Sequence, residues 1–218
     1  MNKHIPEIIE LLKENYGTAK CYLNYKKPWQ LLVATILSAQ CTDERVNLVT
    51  KDLFKKYKKL EDLAAADVKE LEKDIYSTGF YKNKAKNIKA CAEALLRDYD
   101  GIVPSDINEL TSLPGVGRKT ANVVRGEIFK IPSVVVDTHV GRISRKLGFT
   151  KNEDPVKVEK DLMKCIPEDY WIDINLQLIA HGRAVCTARK PDCENCFLGN
   201  YCPSKNKILK ERRKNTAS

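Results

Sequence analysis

One lysine and one aspartate stand in this sequence where an amine and an acid can act as a pair. Lys119 lies two residues after the glycine-rich turn 113–117, at the start of an apolar-periodic segment. Asp137 follows eighteen positions later, directly after the valine run 134–136. A glycine-rich turn that opens a helix presents backbone N–H groups to an anion. The combination predicts amine–acid chemistry on a polymer that contains phosphate.

The turn has the form of a helix–hairpin–helix motif, since a short helix is predicted before it and a longer one after it. Gly115 and Gly117 permit a sharp turn and a close approach to a phosphate, because glycine lacks a Cβ. The backbone of the turn around Val116 and the positive end of the second helix attract the same anion. Such contacts position a protein on DNA without reading its sequence. The alternative is an ordinary helix–helix turn with a glycine cap.

Lys119 is predicted in the first turn of that second helix, where the helix dipole opposes a cation. The dipole, the neighbouring Arg118 and partial burial all favour the neutral amine, which is the nucleophilic form. The alternative is a solvated lysine, as most basic residues of this chain must be.

Asp137 precedes a predicted helix that starts at Thr138, so this aspartate is also a candidate N-cap. Capping and catalysis are compatible, because a capping carboxylate stays ionised and well oriented. His139, two residues further on, is a candidate phosphate contact, and a packing role is its alternative.

A compact group of cysteines marks the C-terminal part of the chain. The group comprises Cys186, Cys193, Cys196 and Cys202. Six, two and five residues separate its successive members. Four thiolates can surround a zinc ion or an iron–sulfur cluster. Zinc sites usually show two close pairs of cysteines and this group has one, which disfavours zinc without proving iron–sulfur. Arg189 and Lys190 lie between the first two cysteines, where a loop would form a basic projection suited to a DNA backbone.

The composition is that of a folded, basic protein. The 218 residues include 38 Lys and Arg against 29 Asp and Glu, a net charge of +9, which favours nucleic acid or another polyanion as partner. No apolar run approaches the roughly 18–20 residues that cross a membrane, and the N-terminus resembles a helix rather than a signal peptide. We therefore expect a cytoplasmic protein whose scattered cysteines fill the core instead of forming disulfides. They are Cys21, Cys41, Cys91 and Cys165.

Apolar residues recur with helical periodicity almost throughout, which predicts an all-α fold. Residues 134–136 form the only strand-like run and are too few to build a sheet. The tail from residue 204 is predicted to be solvated and partly frayed. The predicted helices cover residues 5–16, 28–38, 43–56, 68–78, 83–99, 105–112, 118–129, 138–147, 155–165 and 169–185.

Several short motifs together point to one known family. They are Leu37-Ser38-Ala39-Gln40, the hairpin with its continuation to Asn122, Val136-Asp137-Thr138-His139, His181-Gly182-Arg183 and the four-cysteine spacing. With these motifs the chain resembles the endonuclease III family of iron–sulfur DNA glycosylase/lyases over essentially its whole length. Cys41 and the segment 125–127 depart from the family's pattern and affect local packing rather than mechanism.

The resemblance implies two helical domains that flank a DNA-binding cleft. Residues 21–131 would form the domain with the helix–hairpin–helix motif. Residues 1–20 and 132–218 would form a discontinuous domain, with a [4Fe–4S] cluster on the four C-terminal cysteines. We expect this cluster to serve as a scaffold for its loop rather than as a redox catalyst.

The roles of individual residues are implied in the same way. Lys119 would be the nucleophile and Asp137 its acidic partner. Gln40 would fill the gap left by an extruded nucleotide, and Phe80 or Tyr81 would wedge the base stack. The alternative for these last three residues is a helix end and an aromatic edge of the core.

The implied activity is that of a bifunctional DNA glycosylase and AP lyase in base excision repair. The enzyme would remove oxidised pyrimidines from double-stranded DNA and act on abasic sites, cleaving the strand on the 3′ side by β-elimination through a lysine Schiff base. We expect a monomer without a membrane partner, located in the cytoplasm and associated with the nucleoid when bound to DNA.

Three other functions are alternatives. A monofunctional adenine–mismatch glycosylase generally lacks the catalytic lysine and carries an extra C-terminal domain, so Lys119 and the chain end at Ser218 argue against it. A non-catalytic iron–sulfur redox sensor would bind DNA without cleaving abasic sites. A helical binding module held together by zinc would lack the colour of an iron–sulfur cluster.

Overall fold

The computed structural model describes residues 2–18 and 21–216 of the chain. These residues form twelve α-helices and contain no β-strand, so the prediction of an all-α fold is confirmed. No helix in these ranges is long and apolar enough to cross a membrane. In chain order the helices are α1 (Ile5–Tyr16), α2 (Pro28–Leu37), α3 (Asp43–Lys56), α4 (Leu60–Ala64), α5 (Val68–Asp74), α6 (Tyr81–Asp98), α7 (Ile107–Ser112), α8 (Arg118–Phe129), α9 (Thr138–Leu147), α10 (Pro155–Cys165), α11 (Trp171–Ala184) and α12 (Lys205–Thr216).

The contacts between Cα atoms divide the chain into two compact units. One unit spans Cys21–Ile131 and contains α2 to α8. The other unit combines Met1–Lys20 with Pro132–Ser218 and contains α1 and α9 to α12. Each unit has its own hydrophobic core, which is the property that defines a domain.

Helix α2 lies at the centre of the Cys21–Ile131 unit. Its residues from Trp29 to Leu37 are all buried, as the apolar character of the helix on every side requires. Helix α2 packs against α3, α6 and α8. Helix α8, which carries Lys119, is thereby held against the central helix of its unit.

Helix α11 is central to the other unit, where it packs against α1 and α9. Its side chains Ile174 and Leu178 are fully enclosed. The segment before α9 has no regular secondary structure, and Val134 anchors this segment in the core. Residues 134–136 therefore form a partly buried connection that leads to Asp137.

Four helices are shorter than predicted by one to four residues, and one short helix was not predicted. The predicted helix 68–78 divides into α5 and a 3₁₀ turn at Tyr76–Thr78, and a second 3₁₀ turn, at Glu168–Tyr170, precedes α11. Tightening into 3₁₀ geometry is common at helix ends, where the last backbone groups lack partners. The unpredicted helix is α4, whose five residues are too few to show apolar periodicity.

The tail is solvated as predicted, since most of its described side chains are exposed. The prediction of partial fraying was wrong for residues 205–216, because they form helix α12. The hydroxyl of Ser204, just before the helix, donates to the carbonyl oxygen of Lys146 at 2.8 Å. Ile208 lines a cavity next to the clustered cysteines. Charged residues such as Lys and Glu are good helix formers, and these contacts supply the tertiary packing that a short helix needs.

The scattered cysteines are buried to different extents. Cys91 is 2% exposed, and burial raises the pKa of its thiol to about 12. Cys21 and Cys41 are half-buried and pack against the core of the same unit. Cys165 is half-buried and packs against the core of the other unit. All four are free thiols, so they contribute apolar volume, as predicted.

Candidate active site and metal centre

The two glycines of the hairpin are required for different reasons. Gly115 has a φ of +77°, and a Cβ there would lie 2.8 Å from the Cβ of Asn87. Gly117 has a φ of −89°, and a Cβ there would meet no atom within 4 Å. The packing of the protein therefore requires glycine at position 115 but not at position 117, where the surface is open to an external group.

Helix α8 starts after Gly117 without a side-chain cap. The side chain of Val116 is buried, and its N–H donates to the carbonyl oxygen of Leu113 at 3.1 Å. An uncapped first turn leaves backbone N–H groups for an external acceptor. Such an acceptor would meet the helix end at Gly117 rather than the N–H of Val116.

Lys119 is the second residue of α8, and its side chain is exposed. The partial burial that we expected is not observed. Its ammonium group has no hydrogen-bond or ion-pair partner among the described residues. The amine therefore has no structural role within its unit and is accessible to a substrate.

Asp137 is the N-cap of α9, as predicted from its position. Its Oδ1 accepts a hydrogen bond from the N–H of Val140 at 2.8 Å, and the residue is half-buried. One carboxylate oxygen is thus fixed by the helix. The other oxygen can face a substrate in a defined orientation.

His139 packs within its own unit. Its Nδ1 lies 3.4 Å from Nη2 of Arg142, and a Cβ at Gly182 would come within 2.5 Å of the same ring nitrogen. The glycine of the His181-Gly182-Arg183 motif is therefore needed for the close approach of α9 to α11. This geometry supports the packing role of His139 over a phosphate contact.

Four exposed non-glycine residues in the Cys21–Ile131 unit have left-handed backbone conformations: Gln40, Phe80, Asp100 and Lys130. Gln40 has a φ of +55° and Phe80 a φ of +49°, a region that costs non-glycine residues free energy. The ring of Phe80 is 63% exposed, and Gln40 is also exposed. Lys130 and Asp100 adopt the same conformation just after helices α8 and α6, where left-handed residues are common, so backbone strain alone does not single out Gln40 and Phe80 as functional.

Tyr81, next to Phe80, has a different environment. Its ring lies 4.7 Å from the ring of Tyr76, measured between centroids, and it packs against the core. Phe80 therefore projects from the unit, whereas Tyr81 forms the aromatic edge of the core.

The four C-terminal cysteines line one cavity in the other unit. Apolar side chains from α9, α12 and the cysteine segment complete its walls, including Ile143, Leu147, Leu198 and Ile208. In the part of the chain that the structure describes, no three His, Cys, Asp or Glu side chains approach closely enough to hold a single metal ion. Thiols spread around a cavity suit a multi-iron cluster better than one zinc ion.

Burial makes three of these thiols poor anions by themselves. It raises the pKa of the Cys196 thiol to about 11 and also raises the pKa values of Cys186 and Cys202. Repulsion from the neighbouring cysteines adds to the effect at Cys196. These three cysteines therefore need bound cations to exist as thiolates, as the iron ions of a cluster would provide.

His181 connects this cavity to α1. Its Nε2 lies 3.6 Å from Sγ of Cys196, and its Nδ1 lies 3.0 Å from the hydroxyl of Tyr16. Burial, with a smaller effect from Arg142, lowers the pKa of His181 to about 4. When the hydroxyl donates to Nδ1, the neutral ring carries its proton on Nε2 and can donate it to the cysteine sulfur.

Arg189 and Lys190 lie in the exposed loop between the first two cysteines. The N–H of Lys190 donates to Oγ1 of Thr187 at 3.3 Å. The loop thus presents two exposed cations next to the cysteine cavity.

Comparisons with known proteins support this description. The sequence profile of the family described as HhH-GPD superfamily base excision DNA repair protein matches residues 33–168. The profile of the iron–sulfur binding domain of endonuclease III matches residues 186–202, which begin and end at the first and last clustered cysteines.

Similar sequences of the same kind occur in distant bacteria. Endonuclease III of Synechocystis sp. is 54% identical over 199 residues, covering 91% of each chain. Endonuclease III of Bacillus subtilis is 46% identical and covers 92% of each chain. Endonuclease III of Escherichia coli is 38% identical and covers 93% of this chain and 96% of its own.

Similar solved structures include a trapped covalent intermediate of endonuclease III with DNA. Its protein chain superposes with a TM-score of 0.92 at 43% identity and covers 96% of this chain and 99% of its own. A thermostable thymine-DNA glycosylase superposes with a TM-score of 0.83 at 25% identity, covering 93% of this chain and 96% of its own.

Proposed function

Since this chain belongs to the endonuclease III family of base excision DNA repair proteins, we propose that Lys119 and Asp137 are its catalytic residues. Family membership makes the chain a DNA-binding glycosylase and AP lyase with a [4Fe–4S] cluster. The observation that carries the residue assignment is the exposed, unpartnered ammonium of Lys119 beside an uncapped helix end. The proposed substrates are oxidised or ring-reduced pyrimidines and abasic sites in duplex DNA.

The hairpin binds a phosphate of the DNA backbone at the open N-terminus of α8. The absence of any contact to a Cβ at Gly117 supports this assignment, because a phosphate can approach the backbone there. Arg189 and Lys190 provide a second contact to the backbone, supported by their exposure and charge. Neither contact reads the sequence of the DNA.

Gln40 and Phe80 separate the damaged base from the duplex. The reacting sugar carbon is hidden in a base stack, so the nucleotide must be extruded at a cost of a few kcal/mol. Phe80 is the wedge, because its ring is exposed while that of Tyr81 packs on the core. Gln40 fills the space that the nucleotide leaves.

The chemistry begins with the neutral amine of Lys119, which attacks C1′ of the extruded nucleotide. The glycosidic C1′–N bond breaks, and the base departs with the bonding electron pair. The ionised carboxylate of Asp137 stabilises the positive charge that develops on the sugar and accepts the proton that the amine releases. The C1′–O4′ bond of the sugar ring then breaks, O4′ takes up the proton held by Asp137, and the nitrogen lone pair forms the C=N bond of a Schiff base between Lys119 and C1′.

β-Elimination follows from the Schiff base, which acts as an electron sink. A proton leaves C2′, the C3′–O bond breaks, and the phosphate departs with the electron pair of that bond. The strand is thereby cleaved on the 3′ side, and water hydrolyses the remaining Schiff base to free the lysine. The bound cluster, held by Cys186, Cys193, Cys196 and Cys202, fixes the loop 186–202 and takes no part in these steps.

Borohydride trapping tests the role of Lys119. Borohydride reduces a Schiff base to a stable amine, so the wild-type protein should become covalently attached to a duplex with one abasic site. Lys119→Ala should lose the adduct and strand scission down to background, because no other amine is then in place. An adduct of wild-type yield from this variant would overturn the assignment.

Lys69→Ala is the matched control for this experiment. Lys69 is also the second residue of an α-helix, α5, and its exposed ammonium forms an ion pair of 3.4 Å with the buried carboxylate of Glu72. We expect Lys69→Ala to trap DNA as the wild type does, because this ammonium already has a partner within its own helix and takes no part in the proposed chemistry.

The alternative functions predict different products from the same protein. A monofunctional glycosylase would release a base without cleaving the strand, and a redox sensor would do neither. A panel of duplexes that each carry one damaged pyrimidine, one abasic site or one adenine mismatch separates these outcomes. We further propose that the protein acts as a cytoplasmic monomer that joins the nucleoid through its bound DNA.

A further inference from the structure

Lys84 is a buried lysine on α6 with no role in the chemistry described above. Its side chain is 5% exposed. Its ammonium donates to the carbonyl oxygen of Leu37 at 2.8 Å and to that of Thr78, also at 2.8 Å. No ion pair with a carboxylate accompanies these two bonds among the described residues.

The two acceptors end the elements that lead into the strained loops. Leu37 is the last residue of α2, three positions before Gln40, and Thr78 ends the 3₁₀ turn two positions before Phe80. Carbonyls at the end of a helix lack partners within the helix and attract a cation through the helix dipole. A single ammonium group therefore links the origins of both loops.

Core packing alone does not require an amine at this position. Burial lowers the pKa of Lys84, which shows that the charged form is disfavoured by its surroundings. An unbranched apolar side chain such as methionine would fill the same space without that cost. What only the lysine provides is the pair of hydrogen bonds between the two loops.

We propose that Lys84 is a positioning residue that holds the Gln40 and Phe80 loops in one fixed arrangement, so that both side chains enter the duplex together. This inference rests on the proposed function, in which these two side chains open the base stack. Lys84 touches neither the DNA nor the reacting atoms and acts through the two loop backbones.

The same helix offers a matched control. Lys89 on α6 also donates to two carbonyl oxygens, those of Ala64 at 2.7 Å and Ala66 at 2.9 Å. These acceptors lie at the end of α4, an element that carries neither Gln40 nor Phe80. Lys84→Met and Lys89→Met each remove two lysine–carbonyl bonds, and Lys89→Met also removes an ion pair of 3.6 Å with Glu93. Only Lys84→Met unlinks the loops.

The experiment compares two substrates under single-turnover conditions. One is a duplex with a single damaged pyrimidine, read as base release. The other is a single-stranded oligonucleotide with an abasic site, read by borohydride trapping, which requires neither strand separation nor gap filling. Lys84→Met should slow duplex base release by about tenfold to a hundredfold, as expected for misplaced groups. It should leave single-strand trapping within about twofold of wild type, and Lys89→Met should leave both reactions within the same limit.

Coupling between the residues provides the second readout. In a Gln40→Ala background, Lys84→Met should slow the duplex reaction much less than in the wild type, because part of what it positions is already absent. Lys89→Met should have the same small effect in both backgrounds. If the Lys84→Met protein is already unfolded at the assay temperature, Lys84→Gln is used in its place. The glutamine side chain is shorter than that of lysine and reaches at most one of the two carbonyls.

Three outcomes would overturn the proposal. The first is that the Lys84 and Lys89 variants change the rates on duplex and on single strand equally. The second is that Lys84→Met slows the reactions on both substrates by the same factor. The third is that Lys84→Met slows the duplex reaction as much in the Gln40→Ala background as in the wild type. A wild-type protein that fails to trap the single-stranded abasic site would instead overturn the proposed function, so the two failures are distinguishable.

Discussion

Lys119 and Asp137 both lie at helix N-termini, yet folding makes different use of them. The carboxylate of Asp137 accepts a hydrogen bond that helix α9 needs, whereas the ammonium of Lys119 bonds to nothing described in the structure. Asp137 therefore has a structural function in addition to its proposed chemical one. A substitution that tests the chemical role of Asp137 must therefore keep its helix cap intact.

Asp137→Asn makes that separation. Asparagine caps helices about as well as aspartate, so its side-chain oxygen can still accept from Val140 and the melting temperature should change little. The negative charge is lost, and single-turnover base release should slow by about 10²- to 10⁴-fold. The measurement is base release from a duplex with one damaged pyrimidine.

Asp154→Asn is the control for this change. Asp154 caps α10 in the same way, accepting from the N–H of Lys157 at 2.9 Å, and should retain full activity. Base release by Asp137→Asn as fast as by Asp154→Asn would contradict a catalytic role for Asp137.

The hairpin is the element that the sequence described most completely. Its first helix, α7, is capped by Asp106, which accepts from the N–H groups of Asn108 and Glu109 at 2.7 and 3.1 Å. These interactions span only a few residues, so they can be predicted from the sequence. The sequence did not predict that Gly115 is required by packing and Gly117 is not, because the contact at Gly115 comes from Asn87 on another helix.

Alanine substitutions in the hairpin should separate folding from DNA binding. Gly115→Ala should destabilise the protein by about 1–3 kcal/mol, because alanine is strained at positive φ and its Cβ would collide with Asn87. Gly117→Ala should cost less than about 1 kcal/mol, the difference between glycine and alanine as an N-cap. It should nevertheless weaken binding to abasic duplex, because its Cβ would stand where the phosphate binds.

Urea unfolding and fluorescence anisotropy with labelled duplex measure these two effects. Undiminished DNA affinity in Gly117→Ala would show that the phosphate binds elsewhere. A Gly115→Ala protein as stable as the wild type would mean that the turn relaxes around the added methyl group.

The separate cores of the two units locate the contribution of the cluster. The cysteine cavity is built from residues of one core, and none of its lining belongs to the core around α2. Losing the iron ions would leave these half-buried cysteines without the group that holds them together, in one unit alone. The consequence should appear as a difference in local stability between the units.

Removal of the cluster by chelation under reducing conditions should therefore act on one unit. Amide hydrogen exchange should accelerate in residues 186–208 and in α9, since these segments line the cavity, and should stay unchanged in α2 and α8. Reconstitution with ferrous iron and sulfide should restore protection. Equal acceleration in α2 and in the cysteine loop would contradict the assignment of the cluster to a single core.

The sequence by itself determined the features that depend on neighbouring residues. The positions of most helices, the hairpin, the cap at Asp137 and the set of four thiols follow from types and spacings within short segments, although several helix ends do not. Short-range interactions of this kind are specified locally, because the backbone between the partners has few conformations to choose from.

The tertiary structure decided the features that depend on how helices pack. The bond from Lys84 to Leu37 spans 47 positions, and that between Tyr16 and His181 spans 165. The same packing exposed Phe80 and placed Tyr81 against the core. The sequence alone did not predict which of these two neighbouring aromatic residues is exposed. Periodicity tells which face of a helix is buried, but the partner of a buried polar atom is set only when separate helices meet.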